Sequence, residues 1–292
     1  MPVPLGADFS KVGLVKGVPV VFTDVLGEVE SLVMLSGTGP SSPILTDPMP
    51  ETGRHRPLVS GLQVQNFDDD SRQGEVDRGF INIGTLGCFV HLADGKSALL
   101  SNNHVIAGEN RGVKGKDRVF QPGSTEAKTV DQIATLTDFV DLLVSPIGAT
   151  PRKGTVIYNE VDAGVAEIAK EVEWAKGYLP LRRLVTPSGT AGAQVGDQVF
   201  KVGSTTGLTY GEVTDVTTIV GPIAYYSGPR WFRRSFIVEA LNGERFSDNG
   251  DSGSAIVRSD GRVVGILYAG NGQQNYACPI DAILENLNCT LA

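Results

Sequence analysis

Cysteine, aromatic residues and long apolar runs are scarce in this sequence, and each shortage excludes a class of protein. The three cysteines, Cys88, Cys278 and Cys289, lack metal-ligand spacing, and so small an odd set argues against a disulfide framework and favours a reducing cytosol. Aromatic residues make up 7% and no run of lysine and arginine occurs, so a nucleic-acid-binding surface is not expected. No apolar run approaches the roughly 18 residues of a transmembrane helix, so no contact with a membrane is expected.

A secretory leader is also missing from the pattern of the first residues. The stretch "MPVPLGADFSKVG" has neither a basic start nor an apolar core. Together with the few cysteines, this predicts a cytoplasmic protein. The formal net charge of −8 favours solubility and does not by itself indicate a partner.

Turn-forming residues, in contrast, are plentiful, and 36 glycines and 16 prolines separate short apolar runs. Asp94-Gly95 and Asp260-Gly261 each lie between two such runs and predict β-hairpins. The pattern predicts an all-β chain of barrels or sandwiches, in two halves of about six strands each. Behind Pro279 the apolar spacing becomes helical and predicts one terminal helix, with its apolar positions at Ile280, Ile283, Leu284 and Leu287.

The first quarter of the chain has a different composition. Two apolar runs, Val18–Thr23 and Ser31–Leu35, predict short strands. Residues 36–56 are rich in Gly, Pro, Ser and Thr, which indicates a loop or linker. The acidic run 68–70 could bind a cation, but no glycine-centred calcium loop follows it, so we interpret it as a solvated acidic loop.

With three histidines in the chain, the search for a catalytic base is short. His55 lies in a polar segment and is expected to be solvated, and His91 lies near a hairpin tip and is expected to be exposed. His104 differs, because "ALLSNNHVIAG" carries an apolar strand into a polar turn and then presents the histidine at the rim of a barrel. The alternative role for His104 is that of a hydrogen-bonded structural residue.

Ser252 lies in "FSDNGDSGSAIV", which by composition alone is a polar turn before a strand. As a nucleophile, this serine needs a base to take its proton, and a neutral imidazole suits that role. The backbone N–H groups of Gly250 and Ser252 would then form an oxyanion hole. In the same interpretation Gly253 leaves room for the substrate and Asp251 pins the loop.

Three motifs follow one another along the chain: "LSNNHVIAG" at 100–108, "KVGSTTGLTYGEV" at 201–213 and "GDSGS" at 250–254. The first and the last resemble the histidine turn and the serine loop of the chymotrypsin/trypsin-fold serine peptidases. The middle motif resembles a strand pair of the bacterial streptogrisins. Further segments, "TLGC", "VDAGVAE" and "PIDAIL", resemble leaderless bacterial trypsin-like proteins.

The resemblance implies two six-stranded antiparallel β-barrels, a short C-terminal helix and an N-terminal extension. By this division residues 1–75 are the extension and linker, residues 76–180 the first barrel with His104, and residues 181–292 the second barrel with Ser252. Catalysis would proceed through an acyl-enzyme on the serine, with the histidine as general base.

The acid that orients His104 has two serious candidates, Asp141 in "FVDLLVSP" and Asp162 in "NEVDAGVAEI", which local chemistry hardly separates. The family pattern of an aspartate before a strand of small residues favours Asp162, and Asp138 ranks third.

The resemblance also indicates a specificity pocket. Phe246, six residues before Ser252, would form its floor, and Tyr268-Ala269-Gly270 would form a wall. This favours a shallow or apolar pocket, while Asp248 leaves a preference for basic residues open.

The sequence therefore predicts a serine endopeptidase that uses no metal or other cofactor and acts on protein or peptide substrates. Residues 1–75 would dock on the peptidase, hide its cleft or receive a regulatory protein partner. Two alternatives remain. One is a catalytically silent binding or scaffold protein on the same fold. The other is an esterase with the same triad, against which the absence of a G-x-S-x-G elbow argues.

Overall fold

The computed structural model describes residues 13–15, 18–22, 30–31, 34–35, 52–79, 81–178, 186–241, 245–271 and 274–292. Strands dominate these residues, so the predicted all-β class is confirmed. In chain order the strands are β1 (Gly13–Val15), β2 (Val18–Phe22), β3 (Glu30–Ser31), β4 (Met34–Leu35), β5 (Leu58–Ser60), β6 (Gln63–Asn66), β7 (Asn82–Thr85), β8 (Cys88–Leu92), β9 (Ser97–Ser101), β10 (Arg118–Phe120), β11 (Gln132–Phe139), β12 (Tyr158–Asn159), β13 (Gly164–Ile168), β14 (Trp174–Tyr178), β15 (Gln198–Gly203), β16 (Gly207–Ile223), β17 (Arg230–Ala240), β18 (Ala255–Arg258), β19 (Val263–Gly270), β20 (Gln274–Pro279) and β21 (Cys289–Leu291).

The α-helices of the described residues are short: α1 (Phe67–Gln73), α2 (Asn103–Ile106) and α3 (Ile280–Asn286). The terminal helix α3 begins directly after Pro279, which confirms the predicted change of period. Among the helices described here, none is long and apolar enough to cross a membrane.

The acidic run 68–70 is not a solvated loop, so that prediction was wrong. It forms the first turn of α1, where the Asn66 side chain caps the helix by accepting a hydrogen bond from the Asp69 N–H at 3.0 Å. Asp69 and Asp70 are buried, and Asp69 pairs with Arg111 at 2.8 Å. Carboxylates near a helix N-terminus are stabilised by the helix dipole, and the arginine comes from a distant part of the sequence.

Six antiparallel strands close the second barrel. Their order is β16, β15, β18, β19, β20 and β17, and β17 pairs back with β16. The predicted hairpin at Asp260-Gly261 joins β18 and β19, and Gly261 has the positive φ of +85° that favours glycine. The motif at 201–213 forms the hairpin of β15 and β16.

The first barrel closes through one bent strand. The strand order of this barrel is β6, β10, β11, β13, β9 and β8. The bent strand consists of β7, which pairs with β6, and β8, which follows β7 in the chain. At the bend, the Leu86 N–H donates to the Leu62 carbonyl beside β6 at 2.8 Å. The Gly87 N–H donates to the Leu100 carbonyl on β9 at 2.9 Å. Because β7 and β8 pair with opposite ends of the sheet, the predicted pair of six-stranded barrels is confirmed.

Strands outside the barrels connect the ends of the chain to both of them. The β1–β2 hairpin lies beside β16, β3 beside β19 and β4 beside β7. At the other end β21 pairs with β8 of the first barrel. Strands β5 and β6 precede residue 76, the predicted start of the first barrel, and residue 180 lies outside the described residues. The division into domains stays a prediction.

One apolar cluster joins the two barrels. It contains Leu100 and Val165 of the first barrel together with Val202 and Ile266 of the second, all buried. Removing this apolar surface from water favours association of the two barrels. The cluster includes residues of β9, which leads to His104, and of β18, which follows Ser252. The two halves of the candidate site therefore come from strands that share one apolar cluster.

Candidate active site

His104 lies in α2, three residues beyond the end of β9. Its ring Nδ1 is hydrogen-bonded to Oδ2 of Asp162, and its backbone N–H donates to Oδ1 of the same carboxylate at 3.2 Å. The ring Nε2 is buried and has no hydrogen-bond partner among the described residues. A carboxylate that holds Nδ1 fixes the orientation of the imidazole and leaves Nε2 as the atom that can accept a proton.

Asp162 is positioned by groups from both barrels. Its carbonyl oxygen accepts a hydrogen bond from the Asn102 side chain at 2.6 Å, on the side of His104. From the second barrel, the Tyr225 hydroxyl donates to Oδ2 at 2.7 Å, and the Asp162 N–H donates to the Cys278 sulfur at 3.3 Å. The carboxylate is fully buried, and no lysine or arginine of the described residues forms an ion pair with it.

The other candidates for base and acid lie elsewhere. Asp141 is exposed, and Asp138 pairs with Lys114 at 2.6 Å on the surface. His55 and His91, expected to be solvated and exposed, are half-buried instead. Of the three candidate acids, the structure therefore places Asp162 against His104.

Ser252 lies in the loop before β18, close to the segment that carries His104. A Cβ on Gly84 would collide with the side chain of Val105 and lie 2.9 Å from the Ser252 carbonyl oxygen. One glycine backbone therefore separates the histidine segment from the serine loop, and a larger residue at position 84 would push them apart. The Ser252 hydroxyl donates a hydrogen bond to the Tyr268 carbonyl at 3.4 Å.

The loop around the serine is in contact with Thr85 of the first barrel. The Thr85 N–H donates to the Ser252 carbonyl at 2.7 Å, and its hydroxyl donates to the Gly250 carbonyl at 2.9 Å. Gly250 and Gly253 have φ angles of +100° and +93°. A Cβ on Gly253 would also collide with the Thr85 carbonyl and the Ser101 hydroxyl, so glycine is needed there for both space and conformation.

Asp251 holds the serine loop, the role expected from the sequence. One carboxylate oxygen accepts from the N–H of Thr205 at 2.9 Å, and the other accepts from the N–H of Asp248 at 3.0 Å. The Lys201 ammonium lies 3.3 Å from the carboxylate, and both side chains are fully buried. The lysine and the N–H donors thus compensate the buried Asp251 carboxylate. Through these contacts the serine loop is fixed to the turn between β15 and β16.

The residues predicted to line the specificity pocket have two kinds of environment. Phe246 is fully buried in the interior cluster of the second barrel, and the Tyr268 hydroxyl is hydrogen-bonded to Ser235 at 2.8 Å. Ala269 and Gly270 end β19, where they pair with β20 and with β3. Phe246 therefore acts as a packing residue in this arrangement, and the assignment of a pocket to these residues stays a prediction.

The sequence did not single out Tyr225, which belongs to the connection between β16 and β17. Its ring lies edge-on to His104, with 5.6 Å between the ring centres. Burial, and then the charge of Asp162, raise the pKa of the Tyr225 phenol well above its ordinary value, so the hydroxyl stays a donor. Glu109 of the first barrel accepts from the N–H of Tyr226 at 2.9 Å and fixes this connection. No local motif could identify a partner 63 residues away from Asp162.

The three cysteines are free and buried. Burial, and then the charge of Asp162, raise the pKa of the Cys278 thiol well above its ordinary value, so the thiol beside the acid stays neutral. Within the described part of the chain, no group of three or more His, Cys, Asp or Glu side chains is placed to hold a metal ion.

Known proteins resemble this chain in sequence pattern and in fold. The family model named Trypsin matches residues 88–283. A protease of Nocardiopsis is 16% identical, with a TM-score of 0.53 over 80% of this chain and 98% of its own. Protease A of Thermobifida fusca is 16% identical, with a TM-score of 0.52 over 80% and 98% of the two chains. A glutamic acid-specific serine protease is 18% identical, with a TM-score of 0.52 over 80% and 100%. A comparison with curated protein sequences found no match.

The family match spans more than half of the sequence and includes the segments of His104, Asp162 and Ser252. The chain belongs to the trypsin family, and it has the two-barrel fold of the bacterial serine proteases that it resembles.

Proposed function

We propose that this member of the trypsin family is a serine endopeptidase that cleaves proteins or peptides through an acyl-enzyme on Ser252. One observation carries the proposal. The His104 ring is held at Nδ1 by the buried Asp162 carboxylate, while a single glycine backbone separates its segment from the serine loop. A serine hydroxyl becomes a nucleophile when an oriented imidazole can take its proton.

In the proposed reaction the Ser252 Oγ attacks the carbonyl carbon of the scissile bond and His104 Nε2 takes the hydroxyl proton. Because the hydroxyl donates to the Tyr268 carbonyl in this arrangement, it first turns toward Nε2. The imidazolium that forms is stabilised by Asp162 and gives the proton to the leaving amine. Water then attacks the ester with His104 again as the base, which restores the serine.

The oxyanion of the tetrahedral intermediate would accept hydrogen bonds from the backbone N–H groups of Gly250 and Ser252. Two observations support this role. Gly250 has a φ of +100°, and the loop is fixed by the Asp251 carboxylate rather than by the substrate. Donors that are held in place before the reaction stabilise developing charge without a reorganisation cost.

Covalent labelling with a fluorophosphonate tests the nucleophile directly. We expect the wild type to be labelled and Ser252→Ala to remain unlabelled. Ser259→Ala is the matched control, because Ser259 is an exposed serine a few residues further along the same chain segment. Equal labelling of the wild type and Ser252→Ala would show that another residue reacts and would contradict the proposal.

A second candidate function is that of a catalytically silent binding protein on the same fold. The hydrogen bond from the Ser252 hydroxyl to Tyr268, with Ser252 fully buried, favours it. A silent protein would take no label under any condition and would cleave neither casein nor a peptide library. Turnover of small esters without peptide cleavage would instead favour an esterase. Regulation by a partner protein through residues 1–75 and a cytoplasmic location remain predictions from the sequence.

A further inference from the structure

The segment that follows α2 has an unusual backbone. Gly108, Glu109 and Asn110 succeed one another with φ angles of +55°, +55° and +77°. Residues other than glycine rarely adopt a positive φ, and such backbone persists only where the surrounding contacts enforce it. Because residues held in this way cluster at functional sites, the contacts of this segment indicate a role in the site.

The surroundings enforce this backbone at both ends of the segment. A Cβ on Gly108 would lie 2.0 Å from Oδ2 of the buried Asp69, so a side chain has no room there. The Asn110 N–H donates to the amide oxygen of Asn103 at 3.0 Å, and the Asn103 amide group donates to the Asn110 amide oxygen at 2.7 Å. Since Asn103 directly precedes His104 in α2, the segment is attached to the helix that carries the proposed base.

Between these fixed ends, the Glu109 side chain extends from the first barrel to the connection between β16 and β17. Its Oε1 accepts from the Tyr226 N–H at 2.9 Å, and its Oε2 accepts from the Ser227 N–H at 2.8 Å. The Ser227 hydroxyl also donates to Oε2. The Glu109 side chain is 7% exposed. Two successive N–H groups held by one buried carboxylate leave the connection little freedom to turn.

Arg230, at the start of β17, brings the opposite charge. Its guanidinium donates to the Ser227 hydroxyl at 2.7 Å and lies 3.9 Å from the Glu109 carboxylate, and both side chains are buried. The guanidinium carbon also lies 5.4 Å from the centre of the Tyr225 ring, a distance at which a cation is attracted to an aromatic face. One member of this ion pair is thus in contact with the tyrosine that donates to Asp162.

We propose that Glu109 is a positioning residue of the active site, which holds the connection 225–227 so that the Tyr225 hydroxyl keeps its hydrogen bond to Asp162; this rests on the proposed function. Glu109 itself does not touch the reacting atoms. The tyrosine donates to Oδ2 of Asp162 at 2.7 Å, and the same oxygen is hydrogen-bonded to His104 Nδ1. Loss of this donor leaves the carboxylate freer to turn away from the ring, and the ring then loses its orientation.

Saturation kinetics with a fluorophosphonate separate positioning from binding. Glu109→Gln keeps the size of the side chain but puts an amide N–H against one of the two backbone N–H groups, so the connection loses one bond. We expect the maximal labelling rate of Ser252 to fall about threefold or more, with an unchanged probe concentration at half-maximal rate. Glu171→Gln makes the same change of charge at an exposed glutamate and should be labelled like the wild type.

A double-variant cycle tests whether Glu109 acts through Tyr225. In a Tyr225→Phe chain the donating hydroxyl is already gone, so adding Glu109→Gln should hardly lower the labelling rate further. Losses that multiply in the double variant would show that Glu109 acts independently of the tyrosine and would overturn the proposal.

NMR of the proton on His104 Nδ1 gives a readout that needs no activity, and it is made in a Ser252→Ala background. We expect this proton to exchange with water about threefold faster or more in Glu109→Gln and in Tyr225→Phe, because the ring and the carboxylate separate more often. Glu171→Gln should leave the exchange rate unchanged. Where Glu109→Gln does not fold, Ser227→Ala takes its place, since it removes the hydroxyl between Glu109 and Arg230 and should act in the same direction.

The two readouts distinguish failure of this proposal from failure of the proposed function. An unchanged Nδ1 exchange rate in Glu109→Gln, with a wild type that takes the label, would overturn the positioning role and leave the endopeptidase standing. Faster exchange in Glu109→Gln, with a wild type that takes no label, would overturn the endopeptidase and leave the link from Glu109 to the His104–Asp162 pair standing. Neither labelling of the wild type nor a change in exchange would overturn both.

Discussion

Asp162 and Asp251 are both fully buried, one in each barrel, and their partners differ. Asp251 is paired with the Lys201 ammonium and accepts from backbone N–H groups of two neighbouring turns. Asp162 is in contact with a histidine ring and the Tyr225 hydroxyl, and no lysine or arginine of the described residues pairs with it. An aspartate is thus buried in one place beside a lysine and in the other place without a lysine or arginine partner among the described residues.

Under the proposed function, this difference separates an acid that holds the serine loop, Asp251, from an acid that takes part in the reaction, Asp162. A buried carboxylate without a partner is costly, and Asp251 has the Lys201 side chain as its partner at 3.3 Å. Under the proposed mechanism the partner of Asp162 becomes a cation when His104 takes the serine proton. Asp162 then stabilises the imidazolium more than the neutral ring. Because this interaction is stronger in the transition state than in the ground state, it lowers the activation free energy of the proposed acyl transfer.

The largest expected effect comes from neutralising Asp162, the proposed acid of the triad. In triads of this type, Asp→Asn lowers kcat by about 10⁴ because the imidazole takes the wrong tautomer, and we expect the same of Asp162→Asn. Peptide turnover of the purified variants measures the loss. Asp141→Asn is the control, because Asp141 is exposed, and it should keep wild-type turnover. A large loss in Asp141→Asn with a small one in Asp162→Asn would reverse the assignment.

Removal of the lysine beside Asp251 should lower the free energy of unfolding. Lys201→Met leaves the Asp251 carboxylate buried without its charge partner, and breaking a buried pair in this way costs about 3–5 kcal/mol. Urea unfolding measures the loss. Lys114→Met is the control, because Lys114 pairs with Asp138 at the surface and such a pair contributes less than about 1 kcal/mol.

The double variant Lys201→Met/Asp251→Asn tests whether the buried charge causes that loss. It should recover part of the stability, since the uncompensated carboxylate is gone. If the double variant were as unstable as the sum of the single variants, the ion pair would not be the reason for the loss.

A smaller effect is expected from removing the Tyr225 hydroxyl, which donates to the Asp162 carboxylate. Tyr225→Phe removes one hydrogen bond to the Asp162 carboxylate and keeps the ring packing against His104. Hydrogen bonds to charged groups contribute about 1.5–3 kcal/mol, so kcat/KM should fall at least about tenfold. Tyr226→Phe is the matched control, because the neighbouring tyrosine is 86% exposed. Equal activity of the two variants would contradict a positioning role for Tyr225.

The smallest expected effect concerns a third buried acid, Asp70 in α1. Burial raises the pKa of Asp70 to about 8, so the folded chain keeps a proton that the unfolded chain releases near pH 4. Stability that depends on this proton is present at low pH and is lost as the pH rises toward 8. Asp70→Asn should remove this part of the slope, which urea unfolding at several pH values would detect as a change of about 1 kcal/mol or more.

Asp77→Asn is the control for this pH dependence, because Asp77 is an exposed acid shortly after the same helix. It should leave the slope unchanged. A wild-type stability that rises between pH 5 and pH 8 with the same slope in Asp70→Asn would contradict the raised pKa.

Features that depend on neighbouring residues were predictable. The turns at Asp94-Gly95 and Asp260-Gly261, the strands on either side of them and the terminal helix behind Pro279 all lie where local patterns placed them. Turn chemistry and apolar period act over a few residues, so a sequence window contains the information that decides them.

Features that depend on distant residues were not predictable. The run 68–70 looked like a solvated loop because its partner Arg111 lies far along the chain. The packing of Phe246 in the interior of the second barrel had no local signal, and its place in a specificity pocket stays a prediction. Tyr225 gave no signal at all, because a tyrosine in a hairpin connection has no motif of its own.

The sequence by itself determined the all-β class, the hairpins and the candidates His104 and Ser252, because short-range turn chemistry and residue type are enough for these. Tertiary structure places Asp162, which the family pattern favoured over Asp141, against His104, and it alone decided that Lys201 lies beside Asp251. It also paired the short strands β3 and β4 with β19 and β7. These relations join residues that are far apart in the chain, and packing of the two barrels is the physical cause that brings them together.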